Sequence, residues 1–451
     1  MKEKKELNLF CGITCSVMFP CVMCFTWSAT ESRCTAIRPS IFIIWHLEHY
    51  YYMDVEGYVR RSLQKEIPEE EILRRLQERI LEIKDIDTAF ATELSRAVID
   101  EVKITEGLTG DLFTYEHAGV TMGEFGVGSR GSGDFYAHRK IAEVIGKTSA
   151  DVGVDQMDDG GVVRASGTYV ITTVDGIHSR LSDFPFLAGF HVTRATLRDV
   201  YVMGAKPVGL ISDVHIADDG DVAKLFDYTA GITTVSDALH IPLVAGSTLR
   251  IGGDMVIGDR MTGCVGVVGV ADHVTARKAT TPGDVLLMTE GSGGGTIATA
   301  ALYSGNADVV EETINLHFLK ACDALINSPV LPRIHAMTDV TNGGLRGDVF
   351  EMAENAKCTV VVDDAPLRGL VAPKILALLD KLGIDYLGVS LDALLVVAPP
   401  EYADEIITVV AKTGVRMEKI GFVREGPGVS RLIRNGVEGE FIPKFREAPY
   451  T

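Results

Sequence analysis

Cysteine is scarce through most of this sequence. After Cys34 only Cys264, Cys322 and Cys358 occur, which excludes a disulfide framework and suits a reducing, cytoplasmic setting. Basic charge is also in deficit. The 43 Lys and Arg residues against 62 Asp and Glu give a formal charge of -19, a field that repels phosphate backbones and anionic lipid surfaces. Nucleic acid and membrane are therefore not expected partners. An anionic small molecule fits only where metal ions, backbone N–H groups or local Arg and Lys residues reverse that field. Several catalytic signatures are missing as well: there is no GxSxG elbow, no HExxH and no zinc quartet in the body, and no Gly-Lys-Ser/Thr follows the glycine run at Gly291 to Gly295 to make it a P-loop. His117, His138, His178, His191 and His215 lack a second ligand at metal spacing, so each reads as a structural or substrate-contacting histidine.

What is present is enough apolar sequence for real cores, 46% of 451 residues, and a length of two or three domains. Residues 7–30 carry no charge, and three readings compete for them: a membrane anchor or signal, a ligand site built on Cys21 and Cys24, or a segment outside the fold. The abrupt change at Met53 to an acidic and basic amphipathic pattern supports the last, with residues 1–52 a non-native or disordered extension. A helical preface at 53–118 follows. Within it Ile72, Leu76, Ile80, Ile83, Ile86, Phe90, Leu94 and Val98 recur at three- and four-residue spacing, predicting one or two amphipathic helices.

Beyond Gly119 short strands alternate with helices, and Thr281-Pro282-Gly283-Asp284 reads as a boundary. The expected fold class is α+β, with one domain at 119–280 and a second at 281–451. Three aspartate groups stand out: Asp158-Asp159-Gly160-Gly161, the strand-ending Asp175-Gly176, and Asp199 within a helix leading to a Gly204-Ala-Lys-Pro turn. Magnesium takes hard oxygen ligands, commonly one or two carboxylates completed by phosphates and water, so separate aspartates at loop ends would serve it. The bland reading, that Asp-Gly pairs are ordinary turns, holds for any one of them taken alone. Gly291 to Gly295 lies between a strand and a helix, where free N–H groups hold an anion or where the chain simply packs tightly. The glycine-rich loop from Gly123 to Gly133 reads as a lid or as a connection.

Taken in order, DDGGVVRASGTYVITTVDGIHS, TLRDVYVMGAKPVGLISDV and TDVTNGGLRGDVFEMAENA resemble the superfamily of AIR synthetase, selenophosphate synthetase, thiamine-monophosphate kinase and the hydrogenase-maturation carbamoyl-dehydratase. The chain looks most like the selenophosphate-synthetase-related proteins. The resemblance implies a two-domain PurM-like fold, a homodimer joined through a shared β-barrel of the N-terminal domains, a C-terminal α/β domain, and ATP held with Mg²⁺. It assigns metal contacts to Asp158, Asp159, Asp175 and Asp199, with Asp175 and Asp199 catalytic. Cofactor contacts fall to Asp158, Asp159, Gly176, Gly204, Asp339, Thr341, Asn342 and Gly343. The implied activity is that of an ATP-dependent kinase or synthetase acting on a small-molecule substrate; the alternative is a non-catalytic nucleotide-binding regulator or scaffold. Three departures accompany the match. The loop GVGSRGSGDFYAHRK lacks the reactive cysteine of selenophosphate synthetases, the chain ends Ala448-Pro449-Tyr450-Thr451 where the dehydratase has a cysteine, and Ser247 replaces a metal-binding aspartate. Either one metal is then lost, or Asp254 or Asp259 restores the charge.

Overall fold

The computed structural model describes residues 54–447 except 129–130, 254–255 and 342. The expectations for residues 1–52 and for Asn342 and Asp254 fall outside the described residues. No helix among the described residues is long and apolar enough to cross a membrane.

The preface forms three helices, α1 (Val55–Gln64), α2 (Glu69–Ile83) and α3 (Thr88–Glu106). Asp54 and Asp87 start α1 and α3 by accepting hydrogen bonds from the N–H groups of Gly57 and Phe90, both at 2.8 Å. Ile72, Leu76 and Ile80 bury one face of α2 against Val98, Ile99 and Val102 of α3. Ile83 and Phe90 of the predicted stripe are exposed, because the chain breaks between α2 and α3 and the periodicity restarts. Ile257 joins this small core, and Lys84 bonds to Asp218 and, at 2.9 Å, to Asp219, which fastens the preface to the next domain.

That domain holds a five-stranded sheet in the order β1-β2-β5-β3-β4, formed by β1 (Gly161–Ala165), β2 (Thr168–Gly176), β3 (Lys206–Ile216), β4 (Leu243–Arg250) and β5 (Met261–Ala271). Only β3 and β4 run parallel. A helix of the glycine-rich segment, α4 (Ser132–Ile145), precedes the sheet, and α5 (Pro185–Val202) and α6 (Ala223–Leu239) follow β2 and β3. The sheet is open, with β1 and β4 at its edges and β4 exposed along nearly its whole length. Asp175 and Gly176 lie within β2, opposite Val265 and Cys264 of β5, rather than in a turn beyond it, because β5 is long enough to keep pairing with them.

The second sheet has seven strands in the order β12-β11-β8-β10-β6-β9-β7. These are β6 (Val285–Thr289), β7 (Ala336–Val340), β8 (Thr359–Asp363), β9 (Ala393–Ala398), β10 (Met417–Arg424), β11 (Val429–Arg434) and β12 (Val437–Glu440). Helices α7 (Gly295–Tyr303), α8 (His317–Ile326), α9 (Gly344–Ala356), α10 (Pro373–Leu382) and α11 (Ala403–Ala411) cover it. Strands β6, β7 and β9 are buried throughout, so they read as continuous apolar runs with no alternation.

Helix α5 joins the two halves. It belongs to one apolar core that includes Val265 and Val267 of the first sheet, Val285 and Leu394 of the second, and Phe318 and Leu325 of α8. A helix buried on all sides normally has no use for charge. Yet His191, Arg194, Arg198 and Asp199 all sit on it, and every one of them lines the same cavity.

Candidate functional site

The cavity has a volume of about 930 Å³, in the range of small-molecule sites. Four of the carboxylates on its lining come from four separate elements: Asp159 from the loop before β1, Asp175 from the end of β2, Asp199 from the last turn of α5 and Asp339 from β7. Thr173 on β2 donates to Asp199 Oδ2 at 3.1 Å and fixes its orientation. Burial, then the charges of Asp175, Asp339 and Asp159, push the Asp199 carboxyl well above the usual carboxylate range. Burial also lifts Asp339 to about 7, with Arg198 opposing and Asp159 and Asp175 adding to the rise. The cluster resists full ionisation unless a cation enters.

Magnesium fits this donor set. All four groups offer hard oxygens, and Asp159 Oδ2 is buried with no hydrogen-bond partner. No three His, Cys, Asp or Glu side chains among the described residues close on a single point in the manner of an all-protein metal site. That arrangement matches an ion held by one or two carboxylates per centre with phosphate and water supplying the rest.

Asp158 does different work from its neighbour. Its Oδ1 accepts from Asp159 N at 3.1 Å and its Oδ2 from Arg277 N at 3.0 Å, so both oxygens brace the backbone. Burial raises its carboxyl to about 7, against the pull of Arg277 and with a push from Asp159. Arg277 is itself buried. Its Nη2 reaches Asp159 Oδ1 at 2.5 Å and Thr338 Oγ1 at 2.7 Å, and its Nη1 reaches Glu351 Oε2 at 2.7 Å and Met157 O at 3.0 Å. Sequence reasoning passed over this residue. It lies in an unremarkable stretch before the domain boundary, and no spacing rule marks an arginine whose partners are about 60 to 120 residues away in the chain.

A second buried cation group was also missed. Arg194 and Arg198 share Asp392, and Arg198 Nε lies 3.0 Å from Asp339 Oδ2, in ion-pair contact but out of line for a hydrogen bond. Although burial would raise the Asp392 carboxyl, the two arginines hold it below its ordinary range. No local pattern marks this group: nothing in the spacing of the helix that carries Arg194 and Arg198 says that they are buried.

The remaining predicted residues divide. Gly176 and Thr341 line the cavity. Gly204 does not; it has φ +81° in the turn after α5, where a Cβ would meet His273 O at 2.7 Å, so its constraint is backbone packing. Gly343, with φ +97°, caps the start of α9 and is not on the lining. Ser247 is exposed on edge strand β4, and Asp259 is exposed in an ion pair with Lys224 at 3.1 Å, so neither adds to the carboxylate cluster within this chain. Gly294 and Gly295 of the glycine run line the cavity, as do Val127, Gly128 and Asp134 of the amino-terminal glycine-rich segment. The carboxy-terminal strand of chain holds that segment in place: Ser132 N donates to Lys444 O at 2.9 Å, and Arg446 donates to Glu124 O at 2.6 Å.

Two family profiles cover this architecture. The AIR synthase related protein N-terminal domain matches residues 157–271 and the AIR synthase related protein C-terminal domain matches residues 281–433. An uncharacterized protein of Methanocaldococcus jannaschii is 52% identical over 411 residues, 88% of this chain and 90% of that one. The chain belongs to the AIR synthase related family. Among its relatives, the selenide, water dikinase of Myxococcus xanthus is 32% identical over 221 residues, a match that spans 47% of this chain and 59% of the dikinase. The AIR synthase related fold recurs in HypE from a HypE–HypF complex, with TM-score 0.55 at 17% identity over 68% of this chain and 99% of that one. It recurs in HypE solved with ATP, with TM-score 0.53 at 19% identity over 64% and 88%. ThiL complexed with AMPPCP and TMP gives 0.50 at 17% identity over 69% and 96%. The two-domain PurM-like fold expected from the sequence is thus the fold observed, while the first sheet on its own is open and not a closed barrel.

Proposed function

We propose that this protein is a magnesium- and ATP-dependent kinase or synthetase that activates a small-molecule substrate by phosphorylating one of its oxygen atoms. The observation that carries the reading is the meeting of Asp159, Asp175, Asp199 and Asp339 on one cavity, where burial and the neighbouring carboxylates oppose the ionisation of Asp199 and Asp339. Asp159, Asp175 and Asp199 would hold magnesium, with Asp158 fixing the loop that presents Asp159 or joining the ligands after releasing Arg277. Bound magnesium would supply charge neutralisation for the phosphate oxygens. The chain's own part is positioning. Asp175 and Asp199 are the residues on which turnover depends most, and Asp339 and Thr341 extend the same wall toward the nucleotide. ATP in a HypE structure, AMPPCP and TMP in a ThiL structure, and the dikinase relatives support the reading.

The same proposal includes a homodimer. The uncovered face of the first sheet exposes Val174, Val208, Ile211, Val244 and Leu249, and β4 leaves an unpaired edge. The test of function is thermal unfolding with and without Mg-ATP, followed by a screen for substrate-dependent ADP release. At a hundredfold over its Kd, ATP stabilises the folded state by about 2.7 kcal/mol. No magnesium-dependent stabilisation would remove the nucleotide site, and stabilisation without ADP release across a broad metabolite set would leave a binding protein.

A further inference from the structure

The reading of the cavity as a phosphotransfer site leaves its second substrate open, and the end of the cavity away from the carboxylates bears on that question. Helix α5 lines the cavity with His191, Arg194, Ala195, Arg198 and Asp199, one continuous face of the helix. Eight residues at the helical rise separate His191 from Asp199 by about 12 Å along the axis. His191 therefore sits at the far end. Gly294 and Gly295, at the start of α7, close on it: a Cβ on Gly295 would lie 3.4 Å from His191 Cβ, and one on Gly294 would lie 3.6 Å from Arg198 Nη1.

The proton positions at this end follow from the threonines. Thr313 has one hydroxyl proton, which it gives to Val310 O at 2.7 Å. Its contact with His191 Nε2 at 3.3 Å is then a bond that it accepts, so the ring carries its proton on Nε2 and a lone pair on Nδ1. Burial, reinforced by Arg194, lowers the His191 pKa to about 3 and keeps the ring neutral. Nδ1 is buried with no hydrogen-bond partner among the described residues. The same reasoning applies to His178, which also lines the cavity: Thr299 gives its proton to Gly295 O at 2.8 Å and accepts from Nδ1 at 3.1 Å, placing the lone pair on Nε2.

One turn along α5, Arg194 is 1% exposed. Its Nη1 donates to Thr313 O at 2.7 Å and its Nη2 to Asp392, while Nε has no hydrogen-bond partner. An orphan acceptor and an orphan donor thus stand on adjacent turns of one helix, both more than nine-tenths buried and both on residues of the cavity wall. Leaving either unsatisfied is costly, so a group that meets both is favoured.

We propose that this end of the cavity is the recognition subsite for the second substrate, and that it selects an uncharged group that donates to His191 Nδ1 while accepting from Arg194 Nε, a hydroxyl or a carboxamide. A carboxylate or a fully ionised phosphate brings only lone pairs to the bare imidazole nitrogen and is disfavoured there, although the arginines are near.

The test is nitrogen NMR on protein with ¹⁵N-labelled histidine, with His191→Phe to assign the resonance. Ethylene glycol, acetamide, acetate and methylphosphonate serve as probes, each at saturating concentration. The expected result is an unprotonated Nδ1 at neutral pH whose resonance moves with ethylene glycol or acetamide and not with acetate or methylphosphonate. His191→Phe should weaken the responding probe about five- to tenfold in a saturation-transfer titration, the loss of one hydrogen bond. A protonated Nδ1, a response to the anions alone, or no response to any probe overturns the proposal; the last outcome leaves an ordered water as the partner of both groups. Thermal stabilisation by Mg-ATP is measured on the same samples. If it persists without a probe response, the subsite fails and the phosphotransfer reading stands; a probe response without it upholds the subsite and removes the phosphotransfer reading.

Discussion

Arg277 and Asp159 form a 2.5 Å ion pair inside the protein, the guanidinium only 1% exposed, and that pair ties the aspartate loop before β1 to the second half of the molecule through Glu351 of α9. Burial works against the arginine's charge, but Asp159, Glu351, Asp348 and Asp158 together hold it ionised. The bond takes Oδ1 of Asp159, a residue of the cavity wall, and leaves Oδ2 without a hydrogen-bond partner. Structural support and ligand geometry therefore depend on a single side chain.

Arg277→Met should destabilise the protein by about 3–5 kcal/mol, the usual result of removing one partner from a buried charge group. Arg277→Lys should recover little, because one ammonium cannot meet Asp159, Glu351 and Met157 O together. Urea unfolding of the three proteins checks this. A loss below about 1 kcal/mol in the methionine variant would mean that the carboxylates are satisfied by water and that the hub is not structural.

Asp199→Asn should act in opposite directions with and without ligand. In the metal-free protein the substitution removes a carboxyl that burial and Asp175 disfavour in its charged form, so the Tm should rise, by on the order of 1 kcal/mol of stability per pKa unit relieved. With Mg-ATP the variant should lose the stabilisation that the native protein gains. Calorimetric scans of both proteins in both states decide it; a variant less stable than the native protein in the metal-free state would show that Asp199 is held by compensating contacts.

Much of this arrangement was legible in the chain. The alternation of short strands with helices beyond Gly119 and the boundary at Thr281 follow from runs and turn residues, while Asp158, Asp159 and Asp175 stand out beside glycines, Asp199 within a helix, and Asp339 only through the family resemblance. What could not be read was pairing at long range. Arg277, Arg194, Arg198 and Asp392 look like ordinary surface charges until the two sheets bring them together, since local pattern reports which face a residue occupies and not which distant group it meets. Gly204 shows the opposite error. A glycine in a recognised motif was assigned to a ligand, whereas a positive φ and the carbonyl of His273 already require it.

Stability should fall as pH rises in the absence of metal. The carboxyls of Asp158 and Asp339 stand near 7 in the folded protein against an ordinary value of 3.8, so the folded state binds more protons than the unfolded state between those values. The stabilisation is complete below about 4 and is lost as pH climbs through about 7. Each group contributes a slope of at most about 1.4 kcal/mol per pH unit. Saturating Mg²⁺ with ATP should flatten the profile by favouring the ionised forms. Urea midpoints taken across this window, with and without ligand, measure both effects, and a metal-free midpoint that rises through the window would show that the carboxyls are ionised throughout.

The exposed face of the first sheet should be covered in solution by a second copy. Val244 and Leu249 on β4 are 64% and 59% exposed, and Val174 and Ile211 extend the apolar surface across β2 and β3. An edge strand with this much exposed apolar surface and no partner is an association site unless charge or proline guards it, and Leu243 to Arg250 (LVAGSTLR) carries charge only at its last residue. Val244→Lys and Leu249→Lys should each weaken self-association more than about tenfold, as the loss of a central apolar anchor does. Val437→Lys, at a position 71% exposed on β12, should leave association unchanged. Sedimentation equilibrium of the four proteins tests this directly. A monomeric native protein would sink the dimer, and equal weakening by all three variants would show that added charge acts through the net field rather than through this face.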